Sequence, residues 1–328
     1  MSVRDASEAR GISRRAVLAA GAAAALVPGP LRAVTPLQVV ATTGMLADTV
    51  REIGGDAVEV RALMGPGVDP HSYRQTRTDI LAMSRADLIV ANGLYLEAQM
   101  EDILADFASR GPVLFAAEAV PAERLFGHAD YAGKFDPHVW MDPELWRVVT
   151  GAVRDALIEL RPDAEAAFAS RARDFTDRLG VLDTYSARVL GSVDPGARVL
   201  VTAHDAFAYF GAAYGFEVTG IQGISTESEA GLARIAELVD MLVERGIGAV
   251  FVESTVSDRN VRALVEGAAA RGHEVVVGGE LYSDAMGAPG SYEGTYVGMI
   301  DHNVTTIASA LGGEAPERGM NGRLAAGS

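Results

Sequence analysis

The sequence predicts an α/β fold in which two similar lobes, each a parallel sheet flanked by helices, are bridged by one long rigid helix. Three observations predict it. Short apolar, β-rich runs alternate with helical patterns, which argues for βαβ units and a parallel sheet. The same series of runs recurs roughly 160 residues later. Between the two copies lies one long stretch whose apolar residues keep a helical period.

The first copy contains Leu37 to Thr42, Val58 to Met64, Leu88 to Ala91 and Val113 to Phe115, with helix-like stretches between them. A helix starts at Asp142, an N-cap residue type, with Pro143 at its first position. The N-terminal lobe is therefore read as residues 37–162. In residues 163–194, Phe168, Ala172, Phe175, Leu179, Leu182 and Val189 recur at helical steps. Pro162 starts this helix and Asp194-Pro195-Gly196 stops it. At 1.5 Å per residue it spans about 45 Å, the height of a two-domain protein.

The C-terminal lobe, residues 195–311, repeats the pattern. Val199-Leu-Val-Thr-Ala-His204 resembles Val39-Val-Ala-Thr-Thr-Gly44, and Phe216-Glu-Val leading to Gly223 resembles Val58-Glu-Val leading to Gly65. Gly248-Ala-Val-Phe-Val252 resembles Ala86-Asp-Leu-Ile-Val90. Residues 312–328, Gly-rich and polar, read as a loose tail.

Residues 1–33 combine a basic region containing Arg14-Arg15, the apolar run Ala19 to Val27 and a small-residue stop at Ala33. This is the pattern of a cleaved signal peptide of the twin-arginine type, too short in its apolar run for the ~20 residues of a membrane span. The chain has no cysteine, hence no disulfide and no thiol for a lipid. The expectation is a free periplasmic monomer that is not a lipoprotein. A net charge of −16 argues against nucleic acid as a partner. With 49% hydrophobic but only 6% aromatic residues, the core must be aliphatic.

Six histidines occur, so each can be weighed. His71 and His138 share the tripeptide Asp-Pro-His, in Asp69-Pro70-His71 and Asp136-Pro137-His138. Proline fixes the backbone before each imidazole, and the flanking carboxylate is placed to orient a ring N–H. A single Asp-Pro-His is an ordinary turn; two copies in loops after strands of one lobe point to a ligand pair. His204 ends the strand Arg198 to Thr202 and precedes a helix expected from Asp205, at the strand end where open α/β sheets bind ligands. After a strand over Glu274 to Val277, the glycine-rich run Gly278 to Gly287 holds two carboxylates, Glu280 and Asp284, between which the residues alone do not choose. His128, His273 and His302 read as loop, turn and helix-start residues.

There is no cysteine pair, no His-Glu-x-x-His helix and no EF-hand series, so any metal site is assembled from distant loops. Candidates divide two and two between the lobes. Three imidazoles and a carboxylate suit one divalent transition metal, Zn2+ or Mn2+ with Fe2+ behind them, and are too nitrogen-rich for Mg2+ or Ca2+. Each imidazole must be neutral to bind, so affinity is expected to weaken below about pH 6.

At these residues the sequence resembles the metal-specific solute-binding proteins of zinc and manganese ABC transporters, the cluster 9 (A-I) group, in the pattern of its treponemal-type receptors. The likeness runs from Leu37 to Leu311 through Asp-Pro-His-Val-Trp-Met-Asp-Pro, Val-Thr-Ala-His-Asp-Ala-Phe, Phe251-Val-Glu-Ser254 and Gly-Gly-Glu-Leu-Tyr-Ser-Asp-Ala-Met-Gly. The resemblance implies His71, His138, His204 and Asp284 as ligands, choosing Asp284 over Glu280. It also implies delivery of the ion to a membrane permease driven by a cytoplasmic ATPase. Two departures stand out: Ala116 to Phe135 lacks the His-rich loop of many zinc receptors, and His204 stands where typical manganese receptors have Glu.

A zinc-dependent hydrolase using the same His/Asp set is the alternative, with Glu253 as its candidate base. A site for chelated iron or haem would want an aromatic or Arg-lined pocket, and the loops around the candidate ligands offer mainly His, Asp, Gly and Ser.

Overall fold

A four-stranded parallel sheet in the order β2-β1-β3-β4 organises the first half of the chain. The computed structural model describes residues 35–127 and 133–325, so the signal-peptide reading of residues 1–33 and His128 lie outside the described residues. The strands are β1 (Leu37–Ala41), β2 (Val58–Ala62), β3 (Leu88–Ala91) and β4 (Val113–Phe115), separated by α1 (Gly44–Gly54), α2 (Arg77–Met83) and α3 (Glu101–Ala108). β1 and β3 are the inner strands, and apart from Gln38 every residue in them is buried. Edge strand β2 alternates half-buried with exposed positions, so residues that see water on one face need not be apolar.

Two long helices follow, α4 (Pro143–Leu160) and α5 (Glu165–Leu190). As the sequence predicts, Asp142 caps α4 by accepting the Glu144 N–H at 2.8 Å, with Pro143 in the first turn. α5 has 26 residues, about 39 Å of α-helix. It is shorter than the sequence-based expectation because Pro162–Ala164 form a separate 3-10 turn and the helix already ends at Leu190, capped by Gly191. Its buried stripe of Phe168, Ala172, Phe175, Leu179, Leu182 and Val189 packs on α1, α4 and the last helix, α9 (Tyr296–Ala310). Trp146 of α4 stacks on Tyr296 with centroids 5.2 Å apart and donates to Thr49 of α1 at 3.0 Å, locking three helices together.

The second half contains β5 (Val199–Thr202), α6 (Ala208–Tyr214), β6 (Glu217–Gly220), α7 (Leu232–Arg245), β7 (Ala249–Glu253), α8 (Arg259–Ala270) and β8 (Val276–Leu281). β5 pairs with β6, and β7 with β8, both in parallel. Parallel sheets flanked by helices, with one long helix between the halves, are thus observed.

Four local expectations need correction. α6 starts at Ala208 and not at Asp205, because Asp205 donates its backbone N–H to Gly223 instead of opening a helical turn. β8 runs on to Leu281 instead of ending at Val277. Gly278 and Gly279 permit this: a Cβ at Gly279 (φ 149°) would lie 2.5 Å from Thr306 Cγ2 of α9. His302 lies within α9, with Nε2 at 2.9 Å from the Glu280 carbonyl, and is not a helix start. Finally, residues 312–325 are packed and not loose. Leu324 is fully buried, and the buried Asp301 carboxylate accepts the Met320 N–H at 2.9 Å. No described helix is long and apolar enough to cross a membrane.

Candidate metal centre

All four candidate residues lie beyond the carboxyl ends of parallel strands: His71 after β2, His138 after β4, His204 after β5 and Asp284 after β8. The structure brings them together. One potential ligand atom from each lies within 4.8 Å of all the others, and all four residues are buried. The closest approaches are His71 Nε2 to His138 Nε2 at 3.2 Å, His204 Nε2 to Asp284 Oδ2 at 3.2 Å and His138 Nε2 to Asp284 Oδ1 at 3.5 Å. His71 Nε2 stands 3.8 Å from Asp284 Oδ2. Tetrahedral Zn–N bonds of 2.0–2.1 Å put neighbouring ligands about 3.3 Å apart, close to the shortest of these separations, and the wider ones still leave a set that could hold one metal ion.

Each imidazole is positioned through its backbone. Asp136 Oδ1 accepts the His138 backbone N–H at 2.9 Å and its ring Nδ1–H at 2.7 Å. Glu253, at the end of β7, does the same for His204: Oε1 accepts the backbone N–H at 2.8 Å and Oε2 the Nδ1–H at 2.5 Å. With Nδ1 donating, each Nε2 is left to face the centre. The Asp-Pro-His pattern thus performs the expected orienting role at His138. At His71 it does not: Asp69 Oδ1 accepts only the backbone N–H, at 2.9 Å, and Oδ2 turns to Ser72 and Thr226.

Ties across the chain fix these segments. Trp140 Nε1 donates to the Ser283 carbonyl at 2.8 Å, joining a neighbour of His138 to a neighbour of Asp284. Tyr209 donates to the Asp136 carbonyl at 2.9 Å, and Thr226 to Asp69 at 2.6 Å.

Buried side-chain atoms left without a hydrogen-bond partner include His204 Nε2 and both carboxylate oxygens of Asp284. Orphaned buried acceptors are costly, and here they converge on one point, as donors to a cation would. Electrostatics in the metal-free chain differ among the four. Burial pushes His71 down to about 4, since no carboxylate of the described residues meets its ring Nδ1. Burial also opposes charge on His138, but Asp136 and Asp284 outweigh it and hold the ring up at about 9. Glu253 and Asp284 outweigh burial at His204 and raise it too. Asp284, despite burial, is held well below the usual carboxylate range by His204 and His138.

The remaining candidates fall away from the centre. Glu280 is exposed on β8, because that strand continues past it. Glu253 has both oxygens committed to His204, so it is not a free base. Its role as the partner of His204 is the feature that reading from the residues missed; 49 positions separate the two. His273 bonds the Ile247 carbonyl at 2.7 Å, away from the site.

Known proteins share both the sequence and the fold. The family described as ZnuA, zinc-uptake complex component A periplasmic, matches residues 39–310. The chain is 46% identical over 276 residues to the manganese-binding lipoprotein MntA of Bacillus subtilis, covering 84% of this chain and 90% of that protein. It is 45% identical over 273 residues to the zinc-binding protein TroA of Treponema pallidum, covering 83% and 88%. The solved structure of TroA superposes with a TM-score of 0.82 at 44% identity, over 84% of this chain and 99% of that one. The iron-binding protein YfeA of Yersinia pestis is 29% identical over 275 residues, 84% and 86% of the two chains.

These names correct the localisation read from the sequence. MntA is named a lipoprotein, against the expectation of a free periplasmic protein that is not a lipoprotein. That expectation rested on the absence of one residue type, which bears on attachment chemistry and leaves no trace in the fold or the site. MntA and TroA bind manganese and zinc by name, and the three histidines with Asp284 form a site able to hold one such ion. The chain belongs to the zinc-uptake component A family of metal-binding, ABC-transporter substrate-binding proteins.

Proposed function

We propose that His71, His138, His204 and Asp284 are the four ligands of one Zn2+ or Mn2+ ion, which this chain captures as cargo and hands to a membrane permease. The convergence of four buried donors, one from each of four strand ends, carries this reading. On the same reading, residues 37–162 and 195–311 act as two lobes joined by the helix of 163–194, and the ion bonds to both. The chain acts as a monomer and turns nothing over. A catalytic zinc keeps a coordination position open for water, whereas four protein ligands fill a tetrahedral site, and Glu253, the candidate base, is held by His204.

Zinc outcompetes manganese at most sites in vitro, so affinity alone does not name the cargo. Metal analysis of the protein taken from its own cells does. The expected result is one zinc or manganese per chain, lost in His204→Ala. Hydrolysis of ester, phosphate or peptide substrates by the zinc-loaded protein, abolished by His204→Ala, would replace this reading with an enzyme.

A further inference from the structure

Two cavities touch the proposed ligands, and they differ in size and chemistry. One lies beside His71 and is lined by Leu94, Tyr95, Lys134, Phe135 and Ile224 among others; its volume is about 10 Å³, room for a single water at most. The other reaches Asp284 and is bounded by Gly44, Asp48, Met64, Pro66, Met286 and Pro289 among others, with a volume of about 470 Å³. An ion with six waters needs roughly 180 Å³ at ~30 Å³ per water, which only the second can admit. A further cavity of about 650 Å³, along β6 and the segment after it, touches none of the four ligands.

The small opening is also the wrong chemistry for a cation. Its wall holds no carboxylate, and the Lys134 ammonium sits over the Tyr95 ring, 2.6 Å from the centroid. The segment is pinned: Leu94 and Tyr95 sit at φ 52° and 71°, and Glu97 accepts the N–H groups of Asn92 at 2.7 Å and Gly93 at 3.2 Å. Bulky residues in the left-handed region persist only where the surroundings over-determine them. The large cavity instead carries two carboxylates, Asp48 and Asp284. Arg51 and Arg323 also line it, but both are exposed, where solvent and salt screen their charge. Met286 is buried against Gly44, and a Cβ on Gly44 would come within 3.1 Å of the Met286 methyl. A thioether side chain is unbranched and adapts readily.

We infer that the ion enters and leaves on the Asp284 side, through the cavity between α1 and the glycine-rich loop after β8, with Met286 as its movable wall, while the opening beside His71 stays shut. This rests on the four-ligand reading above. Stopped-flow mixing of the full chain with zinc, and of zinc-loaded chain with a chelating dye, gives the capture and release rates; equilibrium titration gives the affinity. Pro66→Trp with Pro289→Trp fills the large cavity and is expected to slow capture and release together by at least about tenfold, leaving affinity nearly unchanged. Ala98→Trp fills the small opening and is expected to leave both rates alone. Met286→Ala, which needs no added bulk to be accommodated, is expected to speed both. Slowing by Ala98→Trp, or rates unmoved by the paired tryptophans or by Met286→Ala, overturns the route. Failure of the unaltered chain to bind zinc at all overturns the four-ligand reading instead.

Discussion

His138 and His204 are held in one way and His71 in another. Each of the first two is gripped at two points by a single carboxylate, which takes both the backbone N–H and the ring Nδ1–H. His71 is gripped by the backbone alone. The carboxylates fix the tautomer and orientation of two rings and also favour their protonated forms, so protons compete with an incoming ion for these two rings. Burial favours the neutral form of His71, and its ring is less firmly aimed. Rigidity and proton competition are thus two effects of the same hydrogen bond.

The largest effects should come from removing ligands. His138→Ala and His204→Ala are each expected to lower zinc affinity by more than the ~100-fold that loss of a supporting carboxylate can cost, and His71→Ala should be the mildest of the three histidine losses. Calorimetry on the three variants checks the order, and a greater loss for His71→Ala would break the comparison.

Next in size is the pH dependence. His138 is raised to about 9 and His204 is raised as well, so protons compete with the ion for both rings near neutrality. Binding then releases two protons, and affinity should rise with pH by about tenfold per proton per unit, roughly 100-fold per unit between pH 6 and 8. This moves the onset of weakening above the pH 6 expected from free imidazoles. His71, lowered to about 4, should contribute no slope in that window. Titrations in buffers of differing ionisation enthalpy count the protons directly.

Asp136→Asn and Glu253→Gln are expected to cost about 10- to 100-fold in affinity, and each should remove one proton from that count. Asp69→Asn, whose carboxylate meets no ring, should cost less than about tenfold and leave the proton count at two. Farthest from the site, Glu52→Gln breaks the exposed pair with Arg178 and should shift stability by under about 1 kcal/mol with affinity unchanged, as a denaturant melt and a titration would report.

Much of this was legible in the sequence because local physics decides it. The unbroken apolar runs of β3 and β4 marked strands, fully buried at β3 and half-buried at β4, and Asp142-Pro143 announced the start of α4. The paired Asp-Pro-His motifs pointed to two of the four converging side chains, and at Asp136 also to the orienting carboxylate, since only one residue separates the partners. What depends on long-range contact was hidden. Glu253 stood out as an acid, but its engagement with His204 is set by the adjacency of β5 and β7. Asp284 and Glu280 share one glycine-rich run, and only the continuation of β8 against α9 turns Glu280 out to solvent. The packed tail escaped notice because its anchor, Asp301, is buried inside α9, and a lone Leu324 in a polar stretch carries no periodic signal.

The central claim is that one ion sits among His71, His138, His204 and Asp284. A crystal structure of the zinc- or manganese-loaded protein, with anomalous data at the metal edge, tests it most directly. The expected result is one peak per chain bonded to Nε2 of all three histidines and to the Asp284 carboxylate, at about 2.0–2.2 Å for zinc. A peak elsewhere, or one that leaves any of these four residues unbound, would contradict it.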